Sequence, residues 1–222
     1  MRSVNWHRFQ DLMINATLET LYMVALATLF TVAIGFPVGV LLFITRKDGV
    51  VPNRAVAVVL TSLVNIGRAL PFVILLIALI PVTRWIVGTT LGSTAAVVPI
   101  TLGAFPFFAR IVESALDEVD RGRIEAVESM GGSHWHIVSR VLLPEALPAL
   151  VAGITLTIVM LIGFSAMAGV VGGGGLGDLA IRYGYQRFDN TLIAGTVIVL
   201  LLLVQTIQKL GDRLVRSLAY RR

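Results

Sequence analysis

His134 and His136, the glycines of Gly172-x-Gly174-x-x-Gly177, and the glutamates Glu125 and Glu128 are the residues whose types and spacing could do chemistry in this chain. Two histidines suggest zinc, but a spacing of two puts them on different sides of a helix, and no third ligand stands nearby. The chain has no cysteine, which removes thiolate metal sites and disulfides alike. The glycine pattern formally matches a dinucleotide-binding fingerprint. That fingerprint needs a preceding strand of a βαβ unit, and here the glycines follow a long apolar run. No Gly-x4-Gly-Lys-Ser/Thr occurs, so the chain itself is not expected to bind ATP. No Ser-His-acid or paired-carboxylate arrangement can be argued within the apolar segments. No catalytic residue, metal or cofactor is expected, and the chain is not read as an enzyme.

The elements that position these residues follow from composition. Of 222 residues, 56% are hydrophobic and 14% charged, against about 25% charged in soluble domains. Much of the chain must therefore have lipid as its solvent. A helix crossing a bilayer needs about 20 apolar residues, and the apolar runs predict five spans: 18–44, 57–81, 92–112, 146–171 and 190–210. They must be helical, because backbone groups in lipid have to be satisfied within the segment. With five spans the termini lie on opposite sides. Five Lys and Arg residues fall on the N-terminal side and twelve on the other, Arg68 being left unassigned. The positive-inside rule then puts the N-terminus outside and the C-terminus in the cytoplasm. A net charge of +5 reads as cytoplasmic loops, not as nucleic-acid binding. The first apolar run is too long for a signal-peptide core and is expected to be retained.

Several spans carry breakers. Pro37 should kink the first. Arg68 and Pro71 interrupt the second. Either 55–67 is a half-buried helix near the surface and 71–81 completes the crossing, or Arg68 lines a cavity. The fourth span runs into Gly172–Gly177, expected to be an external loop too rich in glycine to stay helical.

The stretch between the third and fourth spans is different in kind. Residues 110–145 hold seven acids and four arginines, the only acidic region of a basic protein. Ser114-Ala115-Leu116-Asp117 resembles a helix start, and Asp120 is placed to cap a short helix. Ile124, Val127 and Met130 form a narrow apolar stripe, while Glu125 and Glu128 share another face. Gly131-Gly132 ends that helix and Ser133 caps a second. Trp135, Val138, Val141 and Leu142 give the second an apolar side, and Pro144 stops it. Two helices of about ten residues are not stable alone. A loop that merely hugged anionic lipid would be basic, so the hairpin reads as a docking surface.

Glu125-Ala126-Val127, Gly131, and Val141-x-Leu143-Pro144 closely resemble the EAA motif of ABC importer permeases. Val127 and Val141 are the mild departures. Beyond that motif, Phe36–Leu42, Val64–Phe72, Val141–Pro148, Phe164-Ser165-Ala166-Met167 and Gly174–Tyr185 resemble the methionine importer permeases within that superfamily. The resemblance implies a type I importer permease architecture of five transmembrane helices. Residues 1–16 would be an external segment, 17–212 the transmembrane domain with coupling helices at about 120–143, and 213–222 a basic cytoplasmic tail. It implies ATPase coupling through Glu125, Ala126, Gly131, Val141, Leu143 and Pro144. It implies a homodimer in the inner membrane, two copies of a cytoplasmic ATPase, an external substrate-binding lipoprotein, and import of L- and D-methionine by alternating access. Another amino acid or small solute is the alternative cargo; an ATP-independent channel or scaffold is the alternative class. The translocation path is expected among small and polar residues of the later spans (Thr155, Thr157, Gly163, Ser165, Ala166, Ala168, Gly169). Phe164 and Met167 lie beside them, with Met167 as a soft gate. The near absence of charge in the spans suggests weak binding in the passage. Residues 82–94 and 172–189 are expected to receive the binding protein.

Overall fold

The structure is a computed structural model and describes residues 6–219. Among these the regular elements are helical: α1 (Trp6–Thr45), α2 (Arg54–Ala69), α3 (Phe72–Ala78), α4 (Ile80–Val87), α5 (Ser93–Asp117), α6 (Arg121–Ser129), α7 (His134–His136), α8 (Leu143–Gly169), α9 (Gly175–Leu179) and α10 (Asn190–Ala219). Six-residue π-helical stretches follow α7 (Ile137–Leu142) and α9 (Ala180–Tyr185). Four helical runs among the described residues are long and apolar enough to cross a membrane; α2 with α3 makes a fifth if that bent pair is one span. Serine and threonine hydroxyls in these helices donate back to carbonyls one turn earlier, as Thr20 does to Ala16 and Thr157 to Gly153. Hydroxyls bonded in this way need no water at membrane depth, whereas those of buried Thr31 in α1 and Thr101 in α5 have no partner among the described residues.

Several expectations change. The second span is not one straight helix over 57–81: α2 and α3 meet at 104°, because Pro71 cannot donate to a helical ladder and forces Leu70 out of helical geometry. Residues 6–16 are no separate segment but the first turns of α1, whose 40 residues span about 60 Å at 1.5 Å per residue. Pro37 sits inside α1 without ending it. Ser114 starts nothing, since α5 continues through it to Asp117. Residues 1–5 and the Arg221-Arg222 end of the basic tail lie outside the described residues.

The chain divides into two units: residues 1–30, 70–103 and 158–208, and residues 31–69, 104–157 and 209–222. In the first, Met13 and Ala16 of α1 pack with Leu176, Leu179 and Leu192, and Phe72 stacks on Phe164 with centroids 3.9 Å apart. In the second, Phe43, Phe108, Val112, Leu116, Ile137, Leu142 and Leu150 form a buried core. Gly39 lets α1 approach the α5 backbone at Ala109 and the side chain of Val112 closely, the small-residue packing that membrane helices use.

Candidate functional site

The hairpin of α6 and α7 is built by local capping. The Asp120 carboxylate accepts the Gly122 N–H at 2.9 Å and starts α6. At the other end Gly131 takes a left-handed φ of +79°. The Gly132 N–H then donates to the Val127 carbonyl and the Gly131 N–H to that of Glu128, both at 2.9 Å. This is a Schellman ending, and it satisfies two carbonyls the helix would leave bare. Ser133 Oγ accepts the His136 N–H at 3.3 Å and lies 2.9 Å from His136 Nδ1. That engagement is local and structural; among the described residues no three metal-ligating side chains converge.

Pro144 does not stop the second arm. The helical track continues from His134 to Gly169. The π turns before Pro144 widen the ladder, so that the Leu143 N–H reaches back to the Val138 carbonyl. A proline there removes a donor and crowds the carbonyl four residues earlier, and the wider turn is how a helix absorbs this without breaking. The hairpin's second arm is thus continuous with α8.

The two faces of the hairpin differ. Ile124, Val127, Val138, Val141 and Leu143 pack on the core around Phe43, Phe108 and Leu116. Glu125, Ala126 and Glu128 are exposed, as are Met130 at 78% and Trp135 at 73%. Met130 and Trp135 therefore leave the apolar faces the spacing assigned them and join the outer surface. Of the motif residues, Glu125 and Ala126 lie outside, Val141 and Leu143 pack inward, Gly131 makes the turn and Pro144 is exposed in the first turn of α8.

Two ion pairs anchor the hairpin. Arg123 holds Glu145 of α8 at 2.6 Å, and Arg46 at the end of α1 holds Asp117 at the end of α5 at 2.5 Å. The Arg46 guanidinium lies 4.3 Å from the Phe43 ring centroid. Its hydrogen bond and charge hold the Asp117 carboxyl below the ordinary carboxylate range, against the opposing effect of desolvation. Arg46, Asp117, Glu125 and Glu128 line a cavity of about 250 Å³.

The residues expected on the path separate. Gly163 and Met167 are exposed, whereas Ser165 is buried and donates to the Ile162 carbonyl at 2.8 Å. Phe164 is held against Phe72. Thr157, Ala168 and Gly169 are buried as well, so of the small-residue run only part can face a passage. Arg68 lies 5.1 Å from the Phe107 ring centroid and lines an open cavity of about 450 Å³ with Arg110 and Glu118. Arg110 is engaged by Glu113 at 2.5 Å and Asn65 at 2.9 Å.

The glycine-rich segment departs furthest from expectation. Residues 175–185 are helical, with Leu176, Gly177 and Asp178 buried. Positive φ at Gly172, Gly174 and Gly175 supplies the turn, after which α9 packs so closely on α8 that Gly169 and Gly177 have no room for a Cβ. Glu19 of α1 accepts the Gly175 N–H at 2.7 Å, and the Thr20 hydroxyl accepts the Leu176 N–H at 2.9 Å. Asp178 pairs with Arg182, whose Nε donates at 2.8 Å. Spacing did not reveal these partners. Glu19 lies 156 residues from Gly175, and its only signal was being the last acid before the first apolar run.

The described helices resemble known proteins closely. Residues 35–221 match the family described as binding-protein-dependent transport system inner membrane component. A relative from Vibrio cholerae, named "Probable D-methionine transport system permease protein MetI", is 54% identical over 95% of this chain and 94% of its own length. One from Bacillus subtilis, named "Methionine import system permease protein MetP", is 45% identical over 89% of each. A solved structure of the MetNI methionine ABC transporter in an inward-facing conformation superposes with a TM-score of 0.92 at 46% identity, covering 94% of this chain and 97% of that one.

Proposed function

From the premise that this chain belongs to the family of binding-protein-dependent transport system inner membrane components, we propose that it is the permease subunit of an ATP-driven importer of methionine. Methionine rests on the relatives named for its transport, the nearer of the two quoted being 54% identical over almost the whole chain. Energy coupling rests on one observation: the hairpin packs one face on its own core and leaves Glu125, Glu128, Met130 and Trp135 outward, with no cover from the chain's described residues.

The subunit works as a pair with a second copy of itself, two cytoplasmic ATPase subunits and an external substrate-binding lipoprotein. The charge asymmetry of the loops supports an N-terminus outside and a C-terminus in the cytoplasm. ATP is bound by the partner, since this sequence has no phosphate-binding loop. Closure of the ATPase pair pushes on α6 and α7. The second arm of the hairpin is continuous with α8, which passes that push into the membrane, and alternating access follows. Exposed Met167 on α8 is the gate in this reading, a flexible side chain that can repack.

The test is uptake of labelled L- and D-methionine into proteoliposomes holding this chain with its co-purified ATPase and binding protein, with and without ATP. ATP-dependent uptake competed by methionine supports the proposal. ATP hydrolysis without methionine uptake reassigns the cargo, and no stable ATPase partner points to a channel or scaffold. Within that system Glu125→Lys is expected to weaken ATPase co-purification about tenfold, as for a lost charged contact. Met167→Ala is expected to change uptake per ATP hydrolysed; an unchanged ratio removes the gate.

A further inference from the structure

Glu19 and Arg182 carry opposite charges and line one cavity of about 610 Å³, within the range of small-molecule sites, about 300–1,000 Å³. We infer that this cavity is a low-affinity subsite for the zwitterionic head of an α-amino acid, Glu19 receiving the ammonium and Arg182 the carboxylate.

Both charges are held in place. The Gly175 N–H fixes one oxygen of Glu19 at 2.7 Å. Buried Asp178 fixes Arg182 through Nε and Nη2. The second Glu19 oxygen and Arg182 Nη1 take no further hydrogen bond from the described residues, so each charge keeps capacity for a ligand. The Arg182 side chain is 61% exposed, and Leu91, Val170 and Ile181 add an apolar wall for an unbranched thioether side chain. Gly174 keeps the cavity open at Glu19: a Cβ there would lie 2.6 Å from its carboxylate. Because Asp178 already offsets part of the Arg182 charge, a carboxylate would be held weakly, as a passage that must release its cargo requires.

The inference rests on the importer reading and deepens it. Its test is saturation-transfer NMR on the purified permease–ATPase complex without binding protein, with methionine, methionine amide and N-acetylmethionine as probes. The parent is expected to transfer saturation to methionine and much less to the two probes lacking one charge. Glu19→Gln keeps an acceptor for the Gly175 N–H and should lower transfer to methionine about fivefold, as should Arg182→Gln, the scale of one charged hydrogen bond. Arg182→Lys retains the charge and should recover part of the signal. Unfolding midpoints equal to the parent's identify variants that kept the fold. No transfer in the parent, or folded variants indistinguishable from it, overturns the subsite. Failure of the importer reading is visible separately, as parent proteoliposomes that take up no methionine.

Discussion

The α6–α7 hairpin and the α9 segment are both short helices entered or left through a glycine at positive φ, and both continue into a π-helical stretch. They end in opposite environments. The turn at Gly131 has nothing within 4 Å of where a side chain would begin, and Glu125, Glu128, Met130 and Trp135 stand exposed around it. In the α9 segment Gly177 is pressed on the Ala166 backbone, and the first N–H groups are received by Glu19 and Thr20. Burial of Leu176 and Leu179 completes its attachment. Capping residues and glycine make a short helix possible; what surrounds it decides whether it belongs to its own chain or waits for another.

Substitutions can break that comparison. The largest effect is expected at Gly177→Val. A branched side chain against the Ala166 backbone has no flexible neighbour to displace, so a loss of about 3 kcal/mol is expected, read as a lower unfolding midpoint and a poor yield of monodisperse protein in detergent. Gly131→Val should cost less, about 1–2 kcal/mol for a branched residue in left-handed geometry, and only locally. Its signature is faster amide exchange over 121–136 and weaker ATPase co-purification with the rest of the fold intact. Were it to unfold the protein as Gly177→Val does, the contrast between the two segments would collapse.

The smallest effect sharpens the comparison at the base of the hairpin. Asp117 is held below its ordinary pKa by Arg46. Its contribution to stability is therefore complete above the unfolded value, about 4, and lost as pH falls through the lower folded value. The pair is partly exposed, 26% and 55%, so the contribution is under about 1 kcal/mol. The unfolding midpoint of the parent should exceed that of Asp117→Asn by a constant small margin from pH 8 to about 5, and the margin should shrink below about 4. A margin that instead changes near neutrality removes the Arg46–Asp117 pair as its cause.

Composition and local chemistry were enough for the membrane class, the four long apolar helices, the hairpin and its caps, because each depends on residues within a few positions. Asp120, Gly131, Gly132 and Ser133 bond N–H and carbonyl groups two to five residues away, and an apolar run of twenty residues reads as a span wherever it occurs. The positional pattern of Glu125, Gly131 and Pro144 was equally legible, but Pro144's effect was not: a proline can end a helix or sit within one, and here the preceding turn widens, held by Ile137 and Leu142 in a core with Phe43 and Phe108. The same limit hid which of Gly163, Ser165 and Met167 face outward, since periodicity gives a face but not what covers it. It also hid the fastening of α9, which joins Glu19 and Thr20 to backbone groups 156 residues later. Contacts at that separation leave no spacing in the sequence, and only the packing of the folded chain brings their partners within hydrogen-bonding distance.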